Sequence, residues 1–131
     1  MAQIHPWVIL FDIDGTLITV DRNFNRPLLR SIVDDLNINY SSVETDPFSG
    51  RTDHDILTSF LEHHDYNPSL YRTLKCEYLN RLKSQIKPRH ITRHPFVDEA
   101  IEYFESEGCI LGLLTGNFPA AAEVKLSIAG I

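Results

Sequence analysis

Two continuous apolar runs stand out along the chain, at residues 7–11 and 109–114. Each is short and flanked by turn residues, and each leads into a polar segment carrying Gly and Thr. That pattern predicts buried parallel strands. Between them the apolar spacing changes to that of helices. Pro27 is placed to open a helix whose stripe is Leu28, Leu29, Ile32, Val33 and Leu36. A second helix starts at Asp53, with Ile56, Leu57, Phe60 and Leu61 on one face. After a turn at Asn67-Pro68, residues 70–86 form a third helix through Leu70, Leu74, Tyr78, Leu82 and Ile86. Residues 37–48 read as a loop and 88–95 as a connector. An amphipathic helix over 97–107, through Ile101 and Phe104, is stopped by Gly108, and a last helix runs from Pro119 to Gly130. No internal repeat is present.

The order is therefore strand, a block of helices, then helix, strand, helix. It predicts an α/β fold whose parallel sheet carries its functional groups at the carboxyl ends of the strands. A crossover needs only about 10–12 residues. The block at 20–88 is far longer, so it is read as an inserted helical subdomain, with 1–19 and 89–131 forming the core.

Composition narrows the class. Apolar residues make up 43% of the 131, enough for a real core. Twelve Lys and Arg against eighteen Asp and Glu give a net charge of -6, which argues against nucleic acid as a partner. Neither apolar run approaches the ~20 residues of a membrane helix, and residues 1–7 lack the features of a signal peptide. Cys76 and Cys109 lie far apart and read as two buried thiols, so a cytoplasmic protein is expected.

The chemistry concentrates after the first strand, in Asp12-Ile13-Asp14-Gly15-Thr16-Leu17. Two nearby carboxylates bind a hard cation such as Mg²⁺, or divide the work of nucleophile and proton donor. Gly15 permits a sharp turn against a ligand. After the second strand, Thr115-Gly116-Asn117 lies just ahead of a helix, where backbone amides suit an anion.

These segments resemble the haloacid dehalogenase-like hydrolase superfamily. Asp12 to Leu17 is similar to its first motif and Leu113-Leu114-Thr115-Gly116-Asn117 to its second. Ser49-Gly50-Arg51-Thr52-Asp53, followed by Ile56-Leu57, resembles a cap segment of phosphoglycolate-phosphatase-like members. The resemblance implies a Rossmannoid parallel sheet with an inserted helical C1 cap over 20–88, and a phosphatase that hydrolyses a small phosphate monoester. It makes Asp12 the nucleophile that forms an aspartyl-phosphate and Asp14 the general acid and base. Thr115, Gly116 and Asn117 would bind the phosphoryl group, and the Asp12 carboxylate and the Asp14 backbone carbonyl would hold Mg²⁺. The acid at position 14 favours phosphoryl transfer over carbon–halogen or carbon–phosphorus cleavage. Arg51, with its fork of donors, is a candidate for the far end of the substrate; Arg22 and Arg26 are weaker ones.

The family also has, further downstream of Thr115, a Lys or Arg and metal-binding acids, and the sequence stops at Ile131 before either is expected. The chain is accordingly expected to be truncated at its C-terminus, with an incomplete sheet. Lys125 lies roughly 9 Å along the last helix from Pro119, at 1.5 Å per residue, and helix solubility is the role expected for it. The alternatives are a non-catalytic fragment or binding module, self-associating through an open sheet edge, and a sugar-phosphate mutase. Two apparent metal motifs are rejected. Asp21, Asn23 and Asn25 match a calcium loop, but Arg26 and Ile32 stand where it needs Gly and Glu. His90 and His94 have helical metal-ligand spacing, but Pro88 and Pro95 argue against a helix there, and no Cys lies close by in sequence. His63-His64 is expected at an exposed helix end.

Overall fold

The structure is a computed structural model that describes residues 6–62, 64 and 67–131. Among these, strand β1 (Val8–Phe11) is followed by β2 (Ile18–Val20), then by helices α1 (Arg22–Asp35), α2 (Asp53–Ser59) and α3 (Pro68–Gln85). A single 3-10 turn (Pro88–His90) leads into β3 (Ile91–Arg93), and α4 (Val97–Ser106), β4 (Ile110–Leu113) and α5 (Pro119–Ala129) complete the chain. The result is a mixed α/β fold with a short parallel sheet.

β1 and β4 pair in parallel, with Val8 opposite Ile110 and Phe11 opposite Leu113. Their carboxyl ends are level, and the Leu114 N–H donates to the Phe11 carbonyl at 2.9 Å. This register brings Asp12 and Thr115 to the same end of the sheet. β2 and β3 form a separate antiparallel ribbon, with Ile18 opposite Arg93 and Val20 opposite Ile91. Just beyond it, the Asp21 N–H donates to the His90 carbonyl at 2.8 Å. The three helices α1–α3 thus leave and re-enter the rest of the fold side by side.

The larger hydrophobic cluster belongs mainly to these helices. Leu28, Leu29, Ile32 and Val33 of α1 meet Leu57 and Phe60 at α2 and Leu74, Tyr78 and Leu82 of α3, with Ala121 of α5 joining them. Burying one large apolar side chain is worth about 1.5–3 kcal/mol, so this face holds the insert together. A smaller cluster of Ile13, Leu17, Ile18, Val97 and Ala122 lies under the sheet end.

Several expectations are corrected. The two parallel strands are not buried on both faces: Val8, Leu10, Ile110 and Leu113 are exposed, while Phe11 packs edge-on to Phe104 with ring centroids 6.2 Å apart. Among the described residues each of these strands pairs only with the other. α1 begins five residues before Pro27, because the Asp21 side chain caps it by accepting the Asn23 N–H. The connector contains β3, and β2 was not foreseen. Neither cysteine is buried; both are free thiols. The histidines serve locally. His90 Nδ1 accepts the Lys87 N–H at 2.9 Å, and His94 Nε2 lies 2.7 Å from Thr19 Oγ1. His64 Nε2 accepts the Asn39 N–H, and His63 lies outside the described residues. No helix among the described residues is long and apolar enough to cross a membrane.

Candidate active site

At the end of β1 the chain keeps its strand alternation for three more residues. Ile13 is fully buried, so Asp12 and Asp14 on either side of it face outward. Gly15 then takes φ +82°, and the loop closes on itself as the Leu17 N–H donates to the Ile13 carbonyl and the Gly15 N–H to the Ile18 carbonyl. A residue with a Cβ would be strained at that φ. Asp12 Oδ1 accepts the Ile13 N–H at 2.8 Å.

At the end of β4, Thr115 Oγ1 accepts both the backbone N–H of Asn117 (3.1 Å) and its side-chain Nδ2 (2.7 Å). Asn117 Nδ2 also donates to Asp14 Oδ2 at 2.6 Å. The two loops are therefore joined across the sheet end. Asn117 Oδ1 is turned to Lys125, whose Nζ donates to it at 2.6 Å and to Asp14 Oδ1 at 3.2 Å. An ammonium has only donors, so the amide must present its oxygen there.

Lys125 is the residue that sequence reasoning placed wrongly. It is 6% exposed and sits among Asp14, Asn117 and the cavity wall, so it is not a solubilising residue. The signal was available: a helical side chain leans back over the turn that precedes it, so a lysine two turns into a helix reaches towards the helix start. Ala121 and Ala122, small and buried, lie on the stretch of α5 that it crosses.

The cavity at this end holds about 460 Å³. Asp12, Asp14, Thr115, Gly116, Asn117 and Lys125 line one wall. Residues of α1–α3 and the segments between them supply the other, through Asn25, Phe48, Arg51, Asp53, Ile56 and Tyr78 among others. Arg51 lies on this wall, but its Nε donates to Asp55 Oδ2 at 2.6 Å, so its charge is engaged within its own helix turn. Arg26 is also committed inside the insert, donating to the Val43 carbonyl and lying 4.4 Å over the Phe48 ring.

Two further residues on this wall were missed. Asp53, read as a helix start and as the end of the cap-like segment but given no role at the site, is partly buried, and its Oδ2 accepts the Phe118 N–H at 2.8 Å. Burial raises its carboxyl above the ordinary range; the Phe118 N–H and Lys125 act against that, and Asp14 adds to it. Tyr78, read only as core, is 4% exposed, yet it lines the cavity. Burial, with the charges of Asp53 and Asp14, pushes its phenol far above its usual range, so it stays a protonated donor.

Asp12 and Asp14 are hard oxygen donors on one cavity wall, as Mg²⁺ requires. Among the described residues no group of three or more His, Cys, Asp or Glu gathers to hold a metal. Mg²⁺ commonly takes only one or two carboxylates and completes its shell with other oxygens, so the Asp12 carboxylate with the backbone carbonyl of Asp14 fits.

A sequence profile described as haloacid dehalogenase-like hydrolase matches residues 9–131. The chain belongs to the haloacid dehalogenase-like hydrolases. No curated protein matches it significantly in sequence. Its fold is similar to that of a hydrolase from Pseudomonas syringae (TM-score 0.67, 20% identity), covering 97% of this chain and 57% of that one. It is also similar to a predicted phosphoglycolate phosphatase from Haemophilus somnus (TM-score 0.63, 18% identity, 92% and 56% covered). A third similar structure is CbbY from Rhodobacter sphaeroides in complex with phosphate (TM-score 0.65, 17% identity, 95% and 57% covered). The chain thus spans a little over half the length of these structures.

Proposed function

We propose that this chain carries the nucleophile-bearing part of a Mg²⁺-dependent phosphatase acting on a small phosphate monoester, with residues 20–88 as its cap. The observation that supports this best is the convergence of Asp12, Asp14, Thr115 and Lys125 on one cavity. In this reading Asp12 attacks phosphorus through Oδ2, because Oδ1 is held by the Ile13 N–H. The P–O bond to the leaving alcohol breaks, and Asp14 gives that oxygen its proton. An aspartyl-phosphate remains on Asp12. Asp14, now a base, takes a proton from water as the water attacks phosphorus, which releases phosphate and restores Asp12.

Thr115 and the amides of Gly116 and Asn117 would hold the phosphoryl oxygens, and Lys125 would offset negative charge beside Asp14. The Asp12 carboxylate and the Asp14 backbone carbonyl would hold Mg²⁺, which when bound screens repulsion between the Asp12 carboxylate and the phosphate. A phosphorylated metabolite fits a cavity of this size, and phosphate is bound by the similar CbbY. The test is hydrolysis of p-nitrophenyl phosphate with and without Mg²⁺, beside Asp12→Asn. Mg²⁺-dependent turnover that Asp12→Asn abolishes is expected. Equal rates for the two proteins would refute the assignment, and no turnover with retained phosphate binding would favour a binding module.

A further inference from the structure

Two helix starts meet where the insert touches the Thr115 loop. The N–H of Asp53, the first residue of α2, has no partner within its own helix and donates instead to the Gly116 carbonyl at 2.9 Å. In return, the Asp53 carboxylate accepts the N–H of Phe118. Phe118 is the capping residue of α5, and its own side chain caps nothing. The insert therefore supplies from outside the anionic cap that α5 lacks. The approach is close: a Cβ on Gly116 would lie 2.9 Å from Thr52 Cα and 3.1 Å from its Cγ2.

The two bonds enclose the loop segment that ends at Asn117. Asn117 in turn bonds Thr115, Asp14 and Lys125. We infer that Asp53 is a positioning residue that ties the insert to this loop, so that docking of the insert and assembly of the phosphoryl-binding loop are one event. The positioning role rests on the phosphatase reading; the tie itself does not. When the insert lifts, Gly116 and Phe118 lose both partners, and the loop that fixes Asn117 slackens with them. The site is thereby completed only in the state that encloses the substrate.

Amide hydrogen exchange on the 131-residue chain tests the tie without any need for turnover. In the unmodified protein the Phe118 amide, which precedes the first turn of α5, should be protected as well as the amides within that helix. Asp53→Ala should speed its exchange at least tenfold. Asp53→Asn, whose carboxamide oxygen accepts the same N–H, should keep it slow. Inorganic phosphate, titrated by NMR in the presence of Mg²⁺, tests the positioning role. Asp53→Ala should weaken phosphate binding at least fivefold and Asp53→Asn much less.

Fast exchange at Phe118 in the unmodified chain would overturn the tie. Unchanged or tighter phosphate binding in Asp53→Ala would overturn the positioning role, the latter because Asp53 would then be competing for the anion's place. A chain that binds no phosphate at all would sink the phosphatase reading together with the positioning role, while exchange at Phe118 still judges the tie.

Discussion

The Lys125 ammonium lies 3.2 Å from Asp14 Oδ1, across 111 residues of sequence. A long aliphatic stem brings the charge back along α5 to the strand ends, and burial limits its screening by water. Lys125→Met keeps the stem and removes the charge. It should lower kcat for an aryl phosphate roughly 100-fold, the scale of losing one preorganised electrostatic contact. The urea midpoint should move little, because Asp14 is half-exposed and can be hydrated in its place. Steady-state kinetics and urea unfolding on the same samples check both halves. A variant with unchanged kcat would return Lys125 to a structural role.

Tyr78 makes the converse case, a buried polar group that borders the cavity. None of the described hydrogen bonds engages its hydroxyl. Tyr78→Phe keeps the ring against Phe118, whose centroid is 6.4 Å away. Stability should therefore change by less than about 0.5 kcal/mol, as for substitutions that break no internal contact. KM for the natural class of substrate should rise about tenfold, the worth of roughly one hydrogen bond. Thermal unfolding and initial rates distinguish this from a packing defect, which would lower both stability and rate.

Gly116 faces the backbone of Thr52 with no room for a side chain. Gly116→Ala should destabilise the fold by about 1–3 kcal/mol, the usual cost of overpacking. The loss should shrink in Gly116→Ala/Thr52→Gly only as far as the Thr52 side chain contributes, since the nearest contact is to backbone. Urea denaturation of the single and double variants measures this, and a neutral Gly116→Ala would mean that the insert does not press on the loop.

Acid should act through Glu44. It takes two bonds from Arg30, Nε to Oε1 at 2.7 Å and a terminal nitrogen to Oε2 at 2.8 Å. These bonds hold its carboxyl at about 2, below the ordinary 4.5. A lowered carboxylate binds fewer protons folded than unfolded between those values. Its contribution is therefore full above pH 4.5, declines as pH falls towards 2, and is gone below it. Glu44→Gln should unfold with a shallower dependence on pH within that window and match the unmodified chain's slope above it. Circular dichroism across an acid titration reads the two slopes, and identical slopes would mean that the pair does not persist in solution.

Long apolar patterns were legible and short ones were not. The α3 stripe from Leu74 through Tyr78 to Leu82 is buried as its spacing requires. Three-residue strands such as Ile91–Arg93 carry too few positions for any period, so the ribbon stayed hidden. Asp12 and Asp14 could be singled out because a strand end and a glycine turn fix their direction within a few bonds. Lys125 and Asp53 depend on where whole helices dock, which residue spacing does not encode. Burial of the parallel strands was overread from composition: an apolar residue marks a face that can be covered, and Leu10 and Ile110 remain exposed.

The ribbon of Ile18–Val20 and Ile91–Arg93 gives the helical block a single narrow doorway. Because the two strands passing through it are hydrogen-bonded to each other, the chain ends of the block lie side by side. Closure entropy grows only slowly with the length enclosed. By that measure the block beyond the doorway could lengthen or shorten at little cost in closure, while Asp12 and Thr115 stay level at the strand ends.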